Sequence, residues 1–107
     1  MTTTLEKVRR LEQYLAVDKA TVDPVLETTI DKLLARERAR VVELKERLID
    51  QCEVFEQRYS LDSAQFQTRY ETGEMGDDID FVEWSATIDM VTNVEKRLAL
   101  LDIESDE

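Results

Sequence analysis

Apolar residues recur every three or four positions along most of the chain, which is the period of an amphipathic α-helix rather than of a strand. The pattern predicts four helices, at about residues 4–16, 24–59, 63–72 and 78–103. The chain has 107 residues but only two Gly and one Pro, so little interrupts the pattern. We therefore predict a single all-α domain, residues 1–107, in which a long central helix and three shorter helices form a bundle-like arrangement.

The longest predicted helix, from Pro24 to Tyr59, contains no further Pro and no Gly. It would be about 54 Å long at about 1.5 Å per residue. A compact domain of this size has a radius of gyration of only about 13 Å. The helix should therefore extend beyond its own domain, and its apolar stripe should need a partner. We predict a dimer formed through this helix, and the predicted seam residues are Leu26, Ile30, Leu33, Val41, Leu44, Leu48 and Phe55.

Residues at the predicted helix ends support these bounds. Asp23 can cap the helix that opens with Pro24 at its first position. Asp62 with Gln65 three residues later resembles a capping box. Gly73 suits a left-handed C-terminal cap. Thr4 is expected to cap the first helix.

Charge is distributed unevenly along the chain. The formal net charge is −11, and residues 60–107 contribute −10 of it, with three basic and thirteen acidic side chains. Such a segment repels a phosphate backbone, which argues against nucleic acid, and it favours a basic protein partner. No run of 18 apolar residues is present, so we predict no membrane association through a spanning helix.

The residues that most often perform catalysis are scarce. The sequence has no His, which removes the commonest general base and the commonest zinc ligand. Its single cysteine, Cys52, excludes an intrachain disulfide and suits a reducing compartment, so we predict a cytoplasmic protein. We predict no catalytic residue, no metal and no cofactor.

An acidic cluster lies where the last helix is expected to begin. It comprises Asp77, Asp78, Asp80 and Glu83, and it lacks the spacing of a calcium-binding loop. These carboxylates could cap the helix or could face a partner. Trp84 beside them could be a core residue or an anchor for that partner. The candidate partner-binding residues are Asp77, Asp78, Asp80, Phe81, Glu83 and Trp84.

The segment from Phe55 to Ala86 reads FEQRYSLDSAQFQTRYETGEMGDDIDFVEWSA. It resembles a pattern in small helical proteins of prokaryotic toxin–antitoxin operons, the antitoxin partners of TumE-type toxins. The matching positions are Phe55, Glu56, Tyr59, Phe66, Tyr70, Gly73, Asp78, Asp80, Phe81, Glu83 and Trp84. The resemblance covers about a third of the chain and implies that the protein binds and neutralises a small toxin.

Together, these patterns predict a non-enzymatic protein-binding module, an antitoxin that neutralises a basic toxin through its acidic C-terminal half. A structural adaptor or scaffold helix bundle is the alternative, since it would show the same apolar stripe. A third reading is an all-α, magnesium-dependent pyrophosphatase-like enzyme, because Glu43 with Glu46 and Glu53 with Glu56 have the E-x-x-E spacing that such a site uses.

Overall fold

The computed structural model of the chain describes residues 1–17 and 23–102, and every regular element in these two ranges is an α-helix. The prediction of an all-α fold is therefore confirmed. The helices are α1 (Thr4–Val17), α2 (Pro24–Tyr59), α3 (Ser63–Glu71) and α4 (Ile79–Leu101). The chain divides into two compact units, Met1–Leu34 and Ala35–Glu107, called unit 1 and unit 2 below.

The predicted helix bounds agree closely with the observed ones. The bounds of α2 match at both ends, and those of α1 and α3 differ by one residue at the C-terminal end. α4 begins one residue later than expected, and its predicted last residue, Ile103, lies outside the described residues.

Side chains cap the N-termini of the helices, as polar residues before an apolar run usually do. The capping residue of α1 is Thr3, one position before the predicted Thr4. Its hydroxyl accepts from the Glu6 amide at 3.0 Å, while a Glu6 carboxylate oxygen accepts from the Thr3 amide at 3.1 Å. This is a reciprocal capping box. Asp23 caps α2 by accepting from the Val25 amide, and Asp62 caps α3 by accepting from the Gln65 amide.

Two helices end in the same left-handed backbone turn. After α2, Ser60 has φ +54°, and the Leu61 amide donates to the Glu56 carbonyl. After α3, Gly73 has φ +86°, and the Glu74 amide donates to the Arg69 carbonyl. Both are Schellman motifs, in which the left-handed residue is usually glycine. The predicted role of Gly73 is confirmed, and Ser60 adopts the same conformation with a side chain attached.

In unit 2, α4 runs antiparallel to the C-terminal part of α2. Three ion pairs between the helices define this alignment: Arg38–Asp102, Lys45–Glu95 and Arg58–Asp80. As the residue number rises along α2, the number of its partner falls, which is the order expected of antiparallel helices. Between the two helices, Val41 and Leu48 are buried against Val94. An apolar cluster between antiparallel helices is what the three-and-four spacing of each helix requires.

A second, mainly aromatic cluster lies at the end of unit 2 where α3 joins the other helices. Cys52, Phe66 and Trp84 are its buried members. Phe66 and Trp84 have no exposed surface at all, and they are the two largest side chains so enclosed among the described residues. Partly buried side chains that pack around them include Phe55, Tyr59, Leu61, Tyr70, Met75, Phe81, Ile88 and Val91.

Candidate interaction surfaces

The acidic cluster predicted from the sequence lies at the start of α4, and one of its members caps that helix. Asp78 is the N-cap residue, and its carboxylate accepts from the Asp80 amide at 2.9 Å. A carboxylate at this position satisfies a free N–H group and lies at the positive end of the helix dipole. Asp78 is nevertheless exposed, so its charge is also open to solvent.

Asp80 is committed to contacts within the chain. One of its carboxylate oxygens accepts from the Tyr59 hydroxyl at 2.6 Å and from the Arg58 guanidinium at 2.7 Å. The hydrogen bond from Tyr59 and then that from Arg58 lower the pKa of Asp80 below its ordinary value. The hydrogen bond to Asp80 in turn raises the pKa of Tyr59. Asp80 therefore fastens the start of α4 to the end of α2.

The remaining candidate residues differ in exposure. Asp77 and Glu83 are exposed, and Phe81 is half-buried with its ring edge-on to Tyr59 at 5.0 Å. Trp84 is wholly enclosed, so it cannot contact another molecule in this conformation. Of its two possible roles, the structure places Trp84 in the core. The carboxylates that remain at the surface are those of Asp77, Asp78 and Glu83.

The enclosed Trp84 is held by rings and by one hydrogen bond. Phe66 stacks on it with ring centroids 3.9 Å apart, and Phe55 stacks at 5.6 Å. Its indole N–H donates to the Ser63 hydroxyl at 2.9 Å. Burial raises the pKa of the nearby Cys52 thiol, with a smaller opposing effect from a hydrogen bond to Ser63. Cys52 is therefore a packed side chain whose thiolate form is disfavoured.

The predicted seam of α2 divides between the two units. In unit 2, Val41 and Leu48 are buried against α4, Leu44 packs on the same cluster, and Phe55 stacks on Trp84. Side chains of α4 therefore cover this part of the apolar stripe within the same chain. The other seam residues, Leu26, Ile30 and Leu33, belong to unit 1, where they are half-buried or exposed.

An open apolar groove runs between α1 and the start of α2 in unit 1. We call its six large apolar residues the N-terminal apolar face: Val8, Leu11, Leu15, Ile30, Leu33 and Leu34. None of the six is buried, and the exposed fractions of Val8, Leu33 and Leu34 are 55%, 52% and 41%. Full burial of such a side chain contributes about 1.5–3 kcal/mol relative to exposure, so the uncovered face is costly.

One residue of each E-x-x-E pair has another contact in the structure. Glu43 forms an ion pair with Arg47 at 3.0 Å along the surface of α2. A Glu56 carboxylate oxygen accepts from the Ser63 amide at 2.8 Å, which satisfies a free N–H group at the start of α3. Within residues 1–17 and 23–102, no group of three or more His, Cys, Asp or Glu side chains is arranged to hold a metal ion.

The cluster of Arg58, Tyr59 and Asp80 was not predicted from the sequence. The contact joins residues more than twenty positions apart, and no local spacing indicates it. The contribution of α1 to an uncovered face was not predicted either, because the predicted seam was confined to α2. The signal for α1 was present in the spacing of Val8, Leu11 and Leu15.

Among the helices described, none combines the length and the apolar character that crossing a lipid bilayer requires. Comparison of the chain with protein-family models, with curated proteins and with solved structures finds no match. Function is therefore inferred from the two surfaces themselves and from the resemblance of residues 55–86.

Proposed function

We propose that the protein is a non-enzymatic binding module, an antitoxin of the cytoplasm that neutralises a basic toxin through the acidic surface of its C-terminal half. The observation that carries the proposal is the net charge of −10 in residues 60–107 together with the exposure of Asp77, Asp78 and Glu83. Charges at the rim of an interface mainly accelerate association and select the partner. The resemblance of residues 55–86 supplies the class of partner, a small toxin.

The structure modifies which residues should make the contact. Trp84 is enclosed, so aromatic contact with the toxin falls to the exposed part of Phe81. Asp80 is paired with Arg58 and Tyr59, so its charge is partly neutralised. The exposed carboxylates at the start of α4 are the primary recognition elements of this proposal.

The test is capture of the product of the adjacent gene by the full-length protein. The double variant Asp77→Lys, Glu83→Lys reverses two exposed charges whose side chains form no hydrogen bond or ion pair with the other described residues. The variant Asp50→Lys, Glu53→Lys makes the same change of charge at exposed positions on α2 and is the matched control. Asp80 is left unchanged, because its reversal would also break the contacts with Arg58 and Tyr59.

We expect the α4 double variant to slow capture strongly and the α2 control to slow it much less, since steering depends on where the charge lies. The difference should shrink at high salt. Equal capture by both variants and by the wild type would show that the start of α4 does not recognise the toxin.

Self-association is the second part of the proposal. We propose that two copies associate through α2, because its apolar stripe is not fully covered within the chain. A structural adaptor is the competing function, and the uncovered N-terminal apolar face favours it as well. The two functions predict different neighbouring genes, because an antitoxin is encoded beside its toxin and a structural adaptor need not be.

A further inference from the structure

Unit 1 has no core of its own, because none of its described residues, 1–17 and 23–34, is buried. The groove that bears the N-terminal apolar face has a volume of about 1070 Å³ and is open to solvent. Units below about 40 residues usually need a disulfide, a metal or association to be stable. Residues 1–34 include no Cys and no His, and the described residues among them form no metal-binding group. Association with another molecule is the remaining means of covering the face.

The charged side chains that line this groove are all acidic. We call them the acidic border, and they are Glu12 of α1 with Glu27 and Asp31 of α2. All three are exposed, and none of their carboxylates accepts a hydrogen bond or forms an ion pair among the described residues. No basic side chain of the described part of unit 1 lines the groove. The border therefore presents unpaired negative charge beside uncovered apolar surface, which attracts a cation.

This charge separates the possible occupants of the groove. Nucleic acids and anionic lipid surfaces are themselves negative, so the acidic border repels both. A second copy would bring the same three carboxylates to the contact, and like charges across an interface are unfavourable. A partner that carries Lys or Arg beside an apolar surface gains both charge attraction and apolar burial here.

The shape of the groove suits a helix. Its lining on α1 extends from Val8 to Ala16, and on α2 from Glu27 to Leu34. At about 1.5 Å per residue, each side of the groove is about 10–12 Å long, or roughly two helical turns. A helix that fills a groove of this kind contributes apolar anchors at positions i, i+3, i+4 and i+7, which also cover about two turns.

We propose that the N-terminal apolar face receives an amphipathic helix of a partner protein, whose apolar stripe is bordered by Lys or Arg. The stripe covers the face, and its cations pair with the acidic border. This contact goes beyond toxin recognition at the start of α4, because all of its residues belong to unit 1. Ile30 and Leu33 also belong to the predicted seam of α2, so the helix and a second copy compete for these two residues.

The test is titration of a fluorescently labelled synthetic peptide with the full-length protein, followed by anisotropy. The peptide is about four helical turns long, with leucines along one face, lysines beside that face and alanines elsewhere. A second peptide has glutamate in place of every lysine, and a third has the first composition in scrambled order. We expect the lysine peptide to bind with a micromolar dissociation constant and the other two at least about tenfold more weakly. No toxin is present, so the result is independent of toxin capture.

A first pair of variants tests whether the peptide lies on the apolar face. Leu33→Ala removes apolar surface from the face, and Met90→Ala is the matched control in unit 2, because the two side chains are each 52% exposed. Alanine favours the helix at both positions, and far-ultraviolet circular dichroism checks that helix content is kept. We expect Leu33→Ala to weaken binding about fivefold or more, and Met90→Ala to leave it within about twofold.

A second pair of variants tests the charge without removing apolar surface. The first neutralises the acidic border: Glu12→Gln, Glu27→Gln and Asp31→Asn. The control makes the same changes of residue at exposed positions of α2 in unit 2: Glu46→Gln, Asp50→Asn and Glu53→Gln. We expect the border variant to weaken binding of the lysine peptide about tenfold at low salt and the control about twofold. The difference should shrink as salt is added.

Three results would overturn the proposal. Equal binding of the lysine peptide by the wild type, by Leu33→Ala and by the border variant shows that the peptide lies elsewhere. Equal binding of the lysine and glutamate peptides shows that the acidic border does not select the occupant. A dimer that Leu33→Ala dissociates in sedimentation equilibrium, and that the lysine peptide leaves intact, shows that a second copy occupies the face.

Discussion

The indole ring of Trp84 and the phenyl ring of Phe66 lie nearly parallel, with centroids 3.9 Å apart and planes inclined by 6°. Phe66 belongs to α3 and Trp84 to α4, and neither side chain has exposed surface. The stack attaches α3, the shortest of the described helices, to the core of unit 2. Together with the hydrogen bonds of Ser63 to Trp84 and Glu56, the stack holds α3 against the rest of unit 2.

Phe66→Ala is expected to lower the free energy of unfolding of unit 2 by about 3–5 kcal/mol, the usual cost of removing a fully enclosed aromatic ring. Urea denaturation followed by the fluorescence of Trp84 measures the change directly, because the chain has no other tryptophan. Tyr14→Ala is the control, since that ring is 70% exposed and should change the transition little. A loss below about 1 kcal/mol would mean that the stack contributes much less than its burial indicates.

Ser60→Gly is expected to stabilise the protein by about 0.5–1 kcal/mol. The backbone at Ser60 has φ +54°, a conformation that strains a residue with a Cβ atom and does not strain glycine. Gly73→Ala is the converse change at the same position of the same motif, and it should destabilise by about 1 kcal/mol or more. Differential scanning calorimetry should show the melting temperature rising for the first variant and falling for the second. Shifts in the same direction would indicate that backbone conformation does not determine either effect.

Tyr59→Phe is expected to reduce the sensitivity of stability to acid. The hydroxyl of Tyr59 is the main cause of the lowered pKa of Asp80. A carboxylate with a lowered folded pKa stabilises the protein above its unfolded pKa, about 3.9, and this stabilisation is lost as the pH falls through the folded value. Urea midpoints of the wild type and the variant should therefore differ at neutral pH and converge as the pH falls through the folded pKa of Asp80.

The hydrogen bond between Tyr59 and Asp80 also predicts how the stability of the protein changes at alkaline pH. Because the pKa of Tyr59 is raised in the folded protein, its contribution is complete below the unfolded pKa of about 10 and is lost as the pH rises through the folded value. The wild type should thus lose more stability above about pH 10 than Tyr59→Phe does. Tyr14→Phe, at an exposed position in unit 1, should follow the wild type at both extremes. Identical pH profiles for all three proteins would contradict the assigned role of the Tyr59–Asp80 hydrogen bond.

The sequence was sufficient for the helices because their ends carry local signals. Asp23 with Pro24, Asp62 with Gln65, and Gly73 each act through contacts with near neighbours in the chain. Periodicity also identified the apolar side of α2 correctly. It could not identify what covers that side, because the covering helix is about fifty residues away in the case of Val41 and Val94.

The candidate sites were less predictable for the same reason. The acidic cluster was evident in the sequence, but its members have different roles in the structure. Asp78 caps α4, Asp80 forms an ion pair with Arg58, and Asp77 and Glu83 are exposed at the surface. Asp80 was indistinguishable from Asp77 until the end of α2 brought Arg58 and Tyr59 to it. Likewise, Trp84 could be read as core or anchor until α3 placed Phe66 against its ring.

The three ion pairs between α2 and α4 have a consequence for misalignment during folding. Lys45 follows Arg38 by seven residues, and their partners Glu95 and Asp102 are separated by the same interval. If α4 slid by two helical turns, Glu95 could meet Arg38, but Lys45 would then face the apolar Ile88. Such exposed pairs add little strength. Their combined effect is to penalise this shifted alignment, because it cannot form all three ion pairs.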